Sequence, residues 1–206
     1  MANLRPSPTK GNLIHSKKSL ELAKLGYDLM DRKRNVLIRE MMNLVDKVKF
    51  LRDNLTEAYA EAYLALQQAN ISLGVVSEIA NAITVEEGIK IVYRSVMGVE
   101  IPIVTFDETE VVLEYGFEES NSRLDEATIK YIVAKRLTIV LAEIDTSIYR
   151  LARAIQKTQK RANALRNIVI PNLESDIKYI AESLEEKERE GFIRLKVIKN
   201  KKNQSN

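Results

Sequence analysis

A seven-residue apolar repeat in the N-terminal part of the chain limits its possible folds more than any other feature. Within residues 12–81 the repeat occupies two interleaved sets of positions, in which Ser16 and Arg34 are the only polar members. The first set is Leu13, Leu20, Tyr27, Arg34, Met41, Val48, Leu55, Ala62 and Ala69, and the second is Ser16, Ala23, Met30, Leu37, Leu44, Leu51, Ala58 and Ala65. An apolar heptad sustained over about eight repeats is typical of a left-handed supercoil of helices. The first long segment is therefore predicted to be one helix that packs along a partner helix.

The repeat becomes rich in alanine from Ala58 onward. Small residues at the seam allow two helices to approach closely, which predicts a thinner helix pair in this part. The alternative is that alanine occurs here because it is a strong helix former. The sequence favours neither interpretation.

A second long segment, from about Ser122 to Lys199, carries a matching seam. Its positions are Ala134, Leu137, Leu141, Ile144, Ile148, Leu151, Ile155, Thr158, Ala162, Leu165 and Val169, followed by Leu173, Ile177, Ile180 and Leu184. Ser122, with Asp125 and Glu126 after it, is typical of a capped helix start. Near Pro171 the spacing changes to four residues, which locally unwinds a supercoil, and a proline inside a helix usually kinks it. We expect a bend or a change of twist near Pro171, or alternatively a break into two helices.

The segment between the helices has a different pattern. Residues 88–97 and 99–104 are rich in β-branched side chains and flank Gly98, which predicts two short strands joined by a turn. Pro102 restricts the second strand to a sheet edge. Residues 111–113 are a candidate third short strand.

These patterns predict a mainly α fold: a long antiparallel two-helix left-handed coiled coil of N- and C-terminal helices, with a short central β-hairpin region. The predicted parts are an N-terminal coiled-coil helix at 1–83, a β-hairpin or cap region at 84–119, a C-terminal coiled-coil helix at 120–199 and a disordered tail at 200–206. Antiparallel helices bring both termini to one tip and place the hairpin at or near the other end. The second helix is expected to run past the first, so that the tip is largely single helix.

Charge is distributed unevenly along the chain. Residues 1–50 carry 11 basic and 5 acidic side chains, residues 187–206 carry 7 and 2, and residues 51–186 carry 14 and 22. The predicted tip is therefore basic, and the opposite end is acidic.

No residue pattern indicates catalysis. The chain has no cysteine and one histidine, His15, which excludes thiol chemistry and leaves no support for a His-centred triad. It has no glycine-rich phosphate loop and no cluster with metal-ligand spacing. We predict no catalytic residue, no cofactor and no metal. Nucleic acid is not an expected partner, because few aromatic residues interleave with the basic ones. Direct membrane insertion is not expected, because no apolar run is long enough.

Several segments resemble the D-subunit family of V/A-type (vacuolar/archaeal-type) ATPases and ATP synthases, which forms the central stalk. They are residues 8–13 and 20–34 near the N-terminus, 97–99 with Pro102 in the hairpin, and 158–165, 168–171, 177–180 and 184–196 in the C-terminal part. The resemblance covers nearly the whole chain, and the segments occur in the family's order.

The resemblance implies a non-catalytic rotor shaft that transmits torque between a catalytic A/B ring and a membrane rotor ring, and couples ATP synthesis or hydrolysis to proton or sodium transport. The implied partners are the A and B subunits of the hexameric ring, the F subunit of the stalk and a C/d-type subunit that connects to the membrane ring. The implied location is cytoplasmic and peripheral to the membrane. The residues expected to contact the A/B ring, from the basic tip and the resemblance together, are Arg5, Thr9, Lys10, Arg189, Phe192, Arg194, Leu195 and Lys196.

Two other functions fit a coiled coil. A prefoldin-like chaperone also joins coiled-coil helices through β-hairpins, but it needs apolar helix tips to hold clients, whereas this tip is basic. A structural coiled-coil scaffold is the third possibility. The hairpin and the spacing change near Pro171 argue against a filament, which requires an uninterrupted repeat.

Overall fold

The computed structural model describes residues 6–76, 79, 81, 88–106, 115–116 and 120–204. Helix α1 spans Lys10–Leu73, strands β1 and β2 span Ile89–Val96 and Val99–Phe106, and helix α2 spans Ser122–Ala164. A π-helical segment, Leu165–Val169, leads directly into helix α3, Ile170–Gln204. The chain divides into a terminal unit, Met1–Arg34 with Gln156–Asn206, and a hairpin unit, Asn35–Ile155. The long N-terminal helix, the long C-terminal helix and the antiparallel hairpin between them confirm the predicted fold class.

In the terminal unit, α1 runs antiparallel to the C-terminal helices. Lys10 Nζ lies 3.0 Å from Glu188 Oε1, and Lys24 Nζ lies 2.8 Å from Glu174 Oε1. Partner numbers therefore fall as α1 numbers rise, as an antiparallel pair requires.

The hairpin unit contains a second antiparallel stretch, between α1 and α2. Tyr59 Oη lies 3.0 Å from Thr138 Oγ1, and the ring of Tyr63 makes an edge contact with that of Tyr131 at 5.9 Å between centroids. Arg52 Nη2 lies 3.8 Å from an Asp145 oxygen.

The buried residues of both units follow the heptad positions. On α1 they are Ser16, Leu37, Val48, Ala62, Ala65 and Ala69, and on α2 and α3 they include Ala134, Ile144, Leu151, Thr158, Ala162 and Ile180. Each of these twelve positions belongs to the seam derived from sequence. Ser147 is also buried although it lies outside that seam, and its hydroxyl donates to the Glu143 carbonyl at 2.8 Å.

The hairpin was expected at or near the far end of the helix pair. Instead, it packs along the side of the pair within the hairpin unit. Ile101 on β2 is buried against Leu37 of α1 and Leu151 of α2. Arg94 on β1 pairs with Glu40 of α1 at 3.0 Å. The reason is that the turn half of the hairpin has an apolar face, which gains burial only by folding back onto the helices.

The hairpin turn consists of Met97 and Gly98, both with positive φ (51° and 75°). Two left-handed residues in a two-residue loop give the turn that matches the twist of paired strands. The strands pair antiparallel from Val96 with Val99 out to Ile89 with Phe106. The candidate third strand at 111–113 lies outside the described residues.

The helix ends correct two details of the sequence prediction. Asn121, rather than Ser122, caps α2, because its side-chain oxygen accepts from the Leu124 N–H at 3.1 Å. Helix α3 continues to Gln204, beyond the end expected at Lys199.

The change of winding expected near Pro171 is the π-helical segment just before it. The Ile170 N–H donates to the Leu165 carbonyl, five residues back, and the backbone stays helical throughout. The helix therefore does not break in two at this point. Val169, expected at the seam, is exposed within this segment.

Candidate partner-binding surface

The start of α1 is fixed by a cap that Thr9 provides. The Asn12 N–H donates to Thr9 Oγ1 at 3.2 Å, and the Leu13 N–H donates to the Thr9 carbonyl at 3.0 Å. The Asn12 side-chain amide also donates to the Ser7 carbonyl at 2.9 Å. The bond to Thr9 Oγ1 satisfies the Asn12 N–H, one of the amides at the helix start that lack a backbone partner within the helix. Thr9 thus has a structural role at the position where a partner contact was predicted.

Two lysines join the start of α1 to α3. Lys10 forms the ion pair with Glu188, and Lys187 Nζ lies 3.5 Å from the Pro8 carbonyl oxygen. Both side chains of the Lys10–Glu188 pair are largely exposed, so the pair sets register more than it adds stability.

Beyond Glu188, α3 continues past the start of α1. The described part of the chain places no α1 residue opposite this overhang, as predicted for the tip. Its large apolar side chains are exposed, at 70% for Phe192, 67% for Leu195 and 60% for Ile193, together with Val197 and Ile198. We call residues 189–204 of α3 the overhang.

The basic residues of the overhang lie among these apolar side chains. Arg189 pairs with Glu185 at 2.6 Å, and Arg194 pairs with Glu190 at 3.4 Å, each four residues back on the same helix. Lys196 is exposed. A surface that combines exposed apolar groups with cations is suited to binding a protein partner with an apolar, acid-bearing lining.

The structure brings together seven of the eight residues predicted to contact the ring. Thr9 and Lys10 lie at the start of α1 beside Glu188, and Arg189, Phe192, Arg194, Leu195 and Lys196 follow along the overhang. Arg5 lies outside the described residues. Their contact with a ring stays a prediction.

Sequence reasoning missed Ile193, Val197 and Ile198, which add to the exposed apolar surface of the overhang. The signal was available, because apolar residues continue after Leu184, where the seam derived from sequence ends. Residues 192–198 contain apolar side chains on every side of a helix, which no single partner helix covers.

The described residues show no sign of a metal centre or a membrane span. No group of three or more His, Cys, Asp or Glu residues in this part of the chain is arranged to hold a metal ion. None of the described helices has an apolar stretch of the length that a membrane crossing requires.

Comparison with known proteins identifies the family of this chain. The model of the family described as the D subunit of ATP synthase matches residues 12–200. The chain belongs to the ATP synthase D-subunit family. The family match includes both long helices, the hairpin and most of the overhang, and it ends before the last residues of α3.

Relatives in this family come from bacteria and archaea. The D subunit of the V-type ATP synthase of Thermotoga neapolitana is 44% identical over 197 residues, covering 95% of this chain and 97% of the relative. The D subunit of the A-type ATP synthase of Methanobrevibacter smithii is 37% identical, covering 94% of this chain and 86% of the relative. The corresponding A-type protein of Thermococcus kodakarensis is 35% identical, covering 95% and 94%.

Proposed function

We propose that this chain is the central rotor shaft of a V/A-type rotary ATPase. In this role it transmits torque between the catalytic ring of A and B subunits and the membrane rotor ring, and so couples ATP synthesis or hydrolysis to proton or sodium transport. The F subunit of the stalk and a C/d-type connecting subunit are its further partners. The shaft itself is non-catalytic, and it is cytoplasmic and peripheral to the membrane.

The observation that carries the proposal is the overhang. Phe192, Ile193 and Leu195 are each at least 60% exposed on a helix that extends past its partner. Burying one such side chain is worth about 1.5–3 kcal/mol, so exposing several is costly unless a partner covers them. A ring of subunits closing around the overhang covers every side of it, as a flat binding surface cannot.

Two features support the transmission of torque. Helix α1 is continuous over its whole span, Lys10–Leu73. The side chains that join it to the opposite helices are fully or almost fully buried, as at Leu37 and Leu151. Close-packed interiors have low compressibility and transmit strain, so such a pair resists twisting.

The shaft acts through thermodynamic linkage between its contacts with the ring and the nucleotide affinity of each catalytic site. Around a ring with equivalent catalytic sites, an asymmetric shaft presents a different surface to each site at any moment. Contact with the shaft biases the nucleotide affinity of that site, and the nucleotide state in turn biases the angle of the shaft. Arg194 and Lys196 project roughly 200° apart around the α3 axis, with exposed apolar side chains between them, so the overhang presents chemically different surfaces in different directions.

A charge reversal on the overhang tests the proposal. We expect the double variant Arg194→Glu, Lys196→Glu to weaken the coupling of ATP hydrolysis to rotation, because the cations lose attraction to the ring lining. Coupling is measured as ion uptake per ATP hydrolysed by the intact complex in vesicles, alongside the rotation rate of a bead on the rotor.

The matched control is Lys47→Glu, Lys49→Glu. These two exposed lysines have the same spacing and undergo the same change of charge, but they lie on α1 in the hairpin unit. The control is expected to keep the ratio of uptake to hydrolysis. A complex that contains the overhang variant and keeps full coupling would contradict the proposed ring contact.

A further inference from the structure

Strand β1 has an outer edge whose backbone groups point away from the hairpin. Val96 and Val99 flank the two-residue turn and therefore exchange hydrogen bonds. In antiparallel pairing the bonded pairs alternate with unbonded ones. The N–H and C=O groups of Ile91, Tyr93 and Ser95 accordingly point outward, away from β2.

The corresponding edge of β2 is already covered. Glu143 on α2 accepts from the outward Val104 N–H at 2.8 Å, and Arg150 donates to the outward Glu100 carbonyl at 3.2 Å. Pro102 occupies the outward position between them, where the N–H that proline lacks would not have bonded to β1. Among the described residues, no hydrogen bond reaches the outward groups of Ile91 or Tyr93 on β1.

The side chains of β1 leave this edge accessible from both faces. Ile91 and Tyr93 are 57% and 53% exposed on one face, and Val92 is 54% exposed on the other. The strand contains no proline and pairs with β2 without a bulge, which are two of the devices that normally prevent strand addition. An open edge of this kind binds a further strand through its main chain.

The charge of β1 indicates which side chains the added strand carries. Lys90 and Arg94 lie on one face, and the strand has no acidic residue. Arg94 stays 57% exposed although it pairs with Glu40. Antiparallel self-pairing of β1 centred on Val92 places Lys90 opposite Arg94, and like charges directly opposite are destabilising, so this register disfavours a second copy of β1.

We propose that β1 accepts an extended edge strand from a neighbouring subunit of the rotary complex, so that the hairpin becomes part of an intersubunit sheet. The inference rests on the proposed function, which supplies the neighbouring subunit. The added strand carries acidic residues opposite Lys90 and Arg94, four residues apart on one face, and apolar residues opposite Ile91 and Tyr93. Main-chain hydrogen bonds supply the binding, and the acidic residues select the register.

Hydrogen exchange resolved to single amides tests the proposal on the full chain, alone and in the purified complex. The outward amides of Ile91, Tyr93 and Ser95 are expected to exchange at least about tenfold more slowly in the complex, because each gains an acceptor. The inward amides of Val92 and Arg94 already bond to β2 and serve as the internal reference.

A proline variant tests the backbone contact itself. Ile91→Pro removes an outward N–H and no hydrogen bond to β2, as Pro102 does at its position on β2, and is expected to remove the added protection at Tyr93. The control Ile91→Val keeps the N–H and the β-branch, and it should preserve that protection. Lys90→Glu tests the charge, and unchanged protection in that variant would overturn the acidic character of the added strand.

The remaining outcomes separate the two proposals. If the chain assembles into the complex and its outward amides stay fast, strand addition is overturned while the proposed function stands. If the chain never assembles with A and B subunits, both proposals fail. Protection that rises with the concentration of the isolated chain would identify a second copy as the occupant and overturn the proposed partner.

Discussion

The alanine-rich part of the seam allows a direct test of how closely the two helices pack in the hairpin unit. Ala62 is 0% exposed on α1, between Tyr59 and Tyr63, whose side chains contact α2. Ala134, on the facing stretch of α2, is also 0% exposed. Small residues buried on both helices favour close approach over the alternative that alanine serves only as a helix former.

On this basis Ala62→Leu overpacks the seam. Forcing extra methylene groups into a packed interior costs about 1–3 kcal/mol. For a chain of this size that cost lowers the Tm by roughly 2–12 °C. The measurement is thermal unfolding of the purified chain, followed by circular dichroism.

Ala60→Leu is the matched control, because Ala60 is exposed on the same helix two residues earlier. Alanine and leucine differ little in helix propensity, so we expect the control to keep the wild-type Tm within about 1 °C. If Ala62→Leu unfolds at the same temperature as Ala60→Leu, the close-approach reasoning is refuted and alanine is present for helix propensity alone.

Two further predictions concern polar groups near the seam. Burial and the Asp125 carboxylate, which accepts from the Tyr115 hydroxyl at 2.6 Å, raise the pKa of Tyr115 above its ordinary value of 10.0. The neutral Tyr115 hydroxyl contributes fully to the free energy of unfolding below about pH 10, and this contribution is lost as the pH rises through the folded-state pKa. Tyr115→Phe should therefore reduce the fall in the free energy of unfolding at alkaline pH, measured by urea unfolding. Arg34 pairs with Asp31 at 2.7 Å and donates to Gln159 Oε1 at 2.7 Å. We therefore expect Arg34→Leu to lower the free energy of unfolding by about 1–3 kcal/mol. A gain in stability would instead indicate a snorkelling side chain.

The heptad repeat predicted the elements that hold the helices together. Leu37, Leu151 and Ile180 are fully buried at positions derived from periodicity alone. This succeeds because a seven-residue apolar repeat leaves each helix one seam to bury, and burial is the largest favourable term in folding. The second helix was also predicted to run past the first, and α3 does continue past the start of α1.

The pattern did not identify the partner of Arg34. The Arg34 guanidinium contacts Asp31 on the same helix and the side-chain oxygen of Gln159 on the facing helix, and the heptad repeat marks neither residue as its partner. Periodicity places a residue at the seam, but it does not determine which of several polar groups within reach its side chain will contact.

The sequence pattern also did not predict where the hairpin packs. Connectivity places β1 and β2 between the helices but gives no information on how far they fold back. The answer depends on tertiary contacts such as that of Ile101 with Leu37 and Leu151, which join residues far apart in sequence. The apolar cluster of Tyr115, Leu124 and Ala69 is a second such contact, and no local pattern marks Tyr115 as one of its members.

The π-helical segment follows from a one-residue mismatch that the sequence does contain. Counting forward by threes and fours from Ala162 through Leu165 places the next seam residue at Val169. Counting backward from Ile180 through Ile177 and Leu173 places it at Ile170 instead. A π-bulge inserts one residue into a helical turn and so absorbs a phase difference of one.

The exposure of the two residues agrees with this account. Val169 is 37% exposed, whereas Ile170 is partly buried and its N–H reaches back five residues to Leu165. Pro171 adds a reason for the location, because its ring would clash with the carbonyl four residues earlier in a regular α-helix. A widened turn just before Pro171 therefore keeps the seam in phase on both sides and avoids the break that a proline inside a helix often causes.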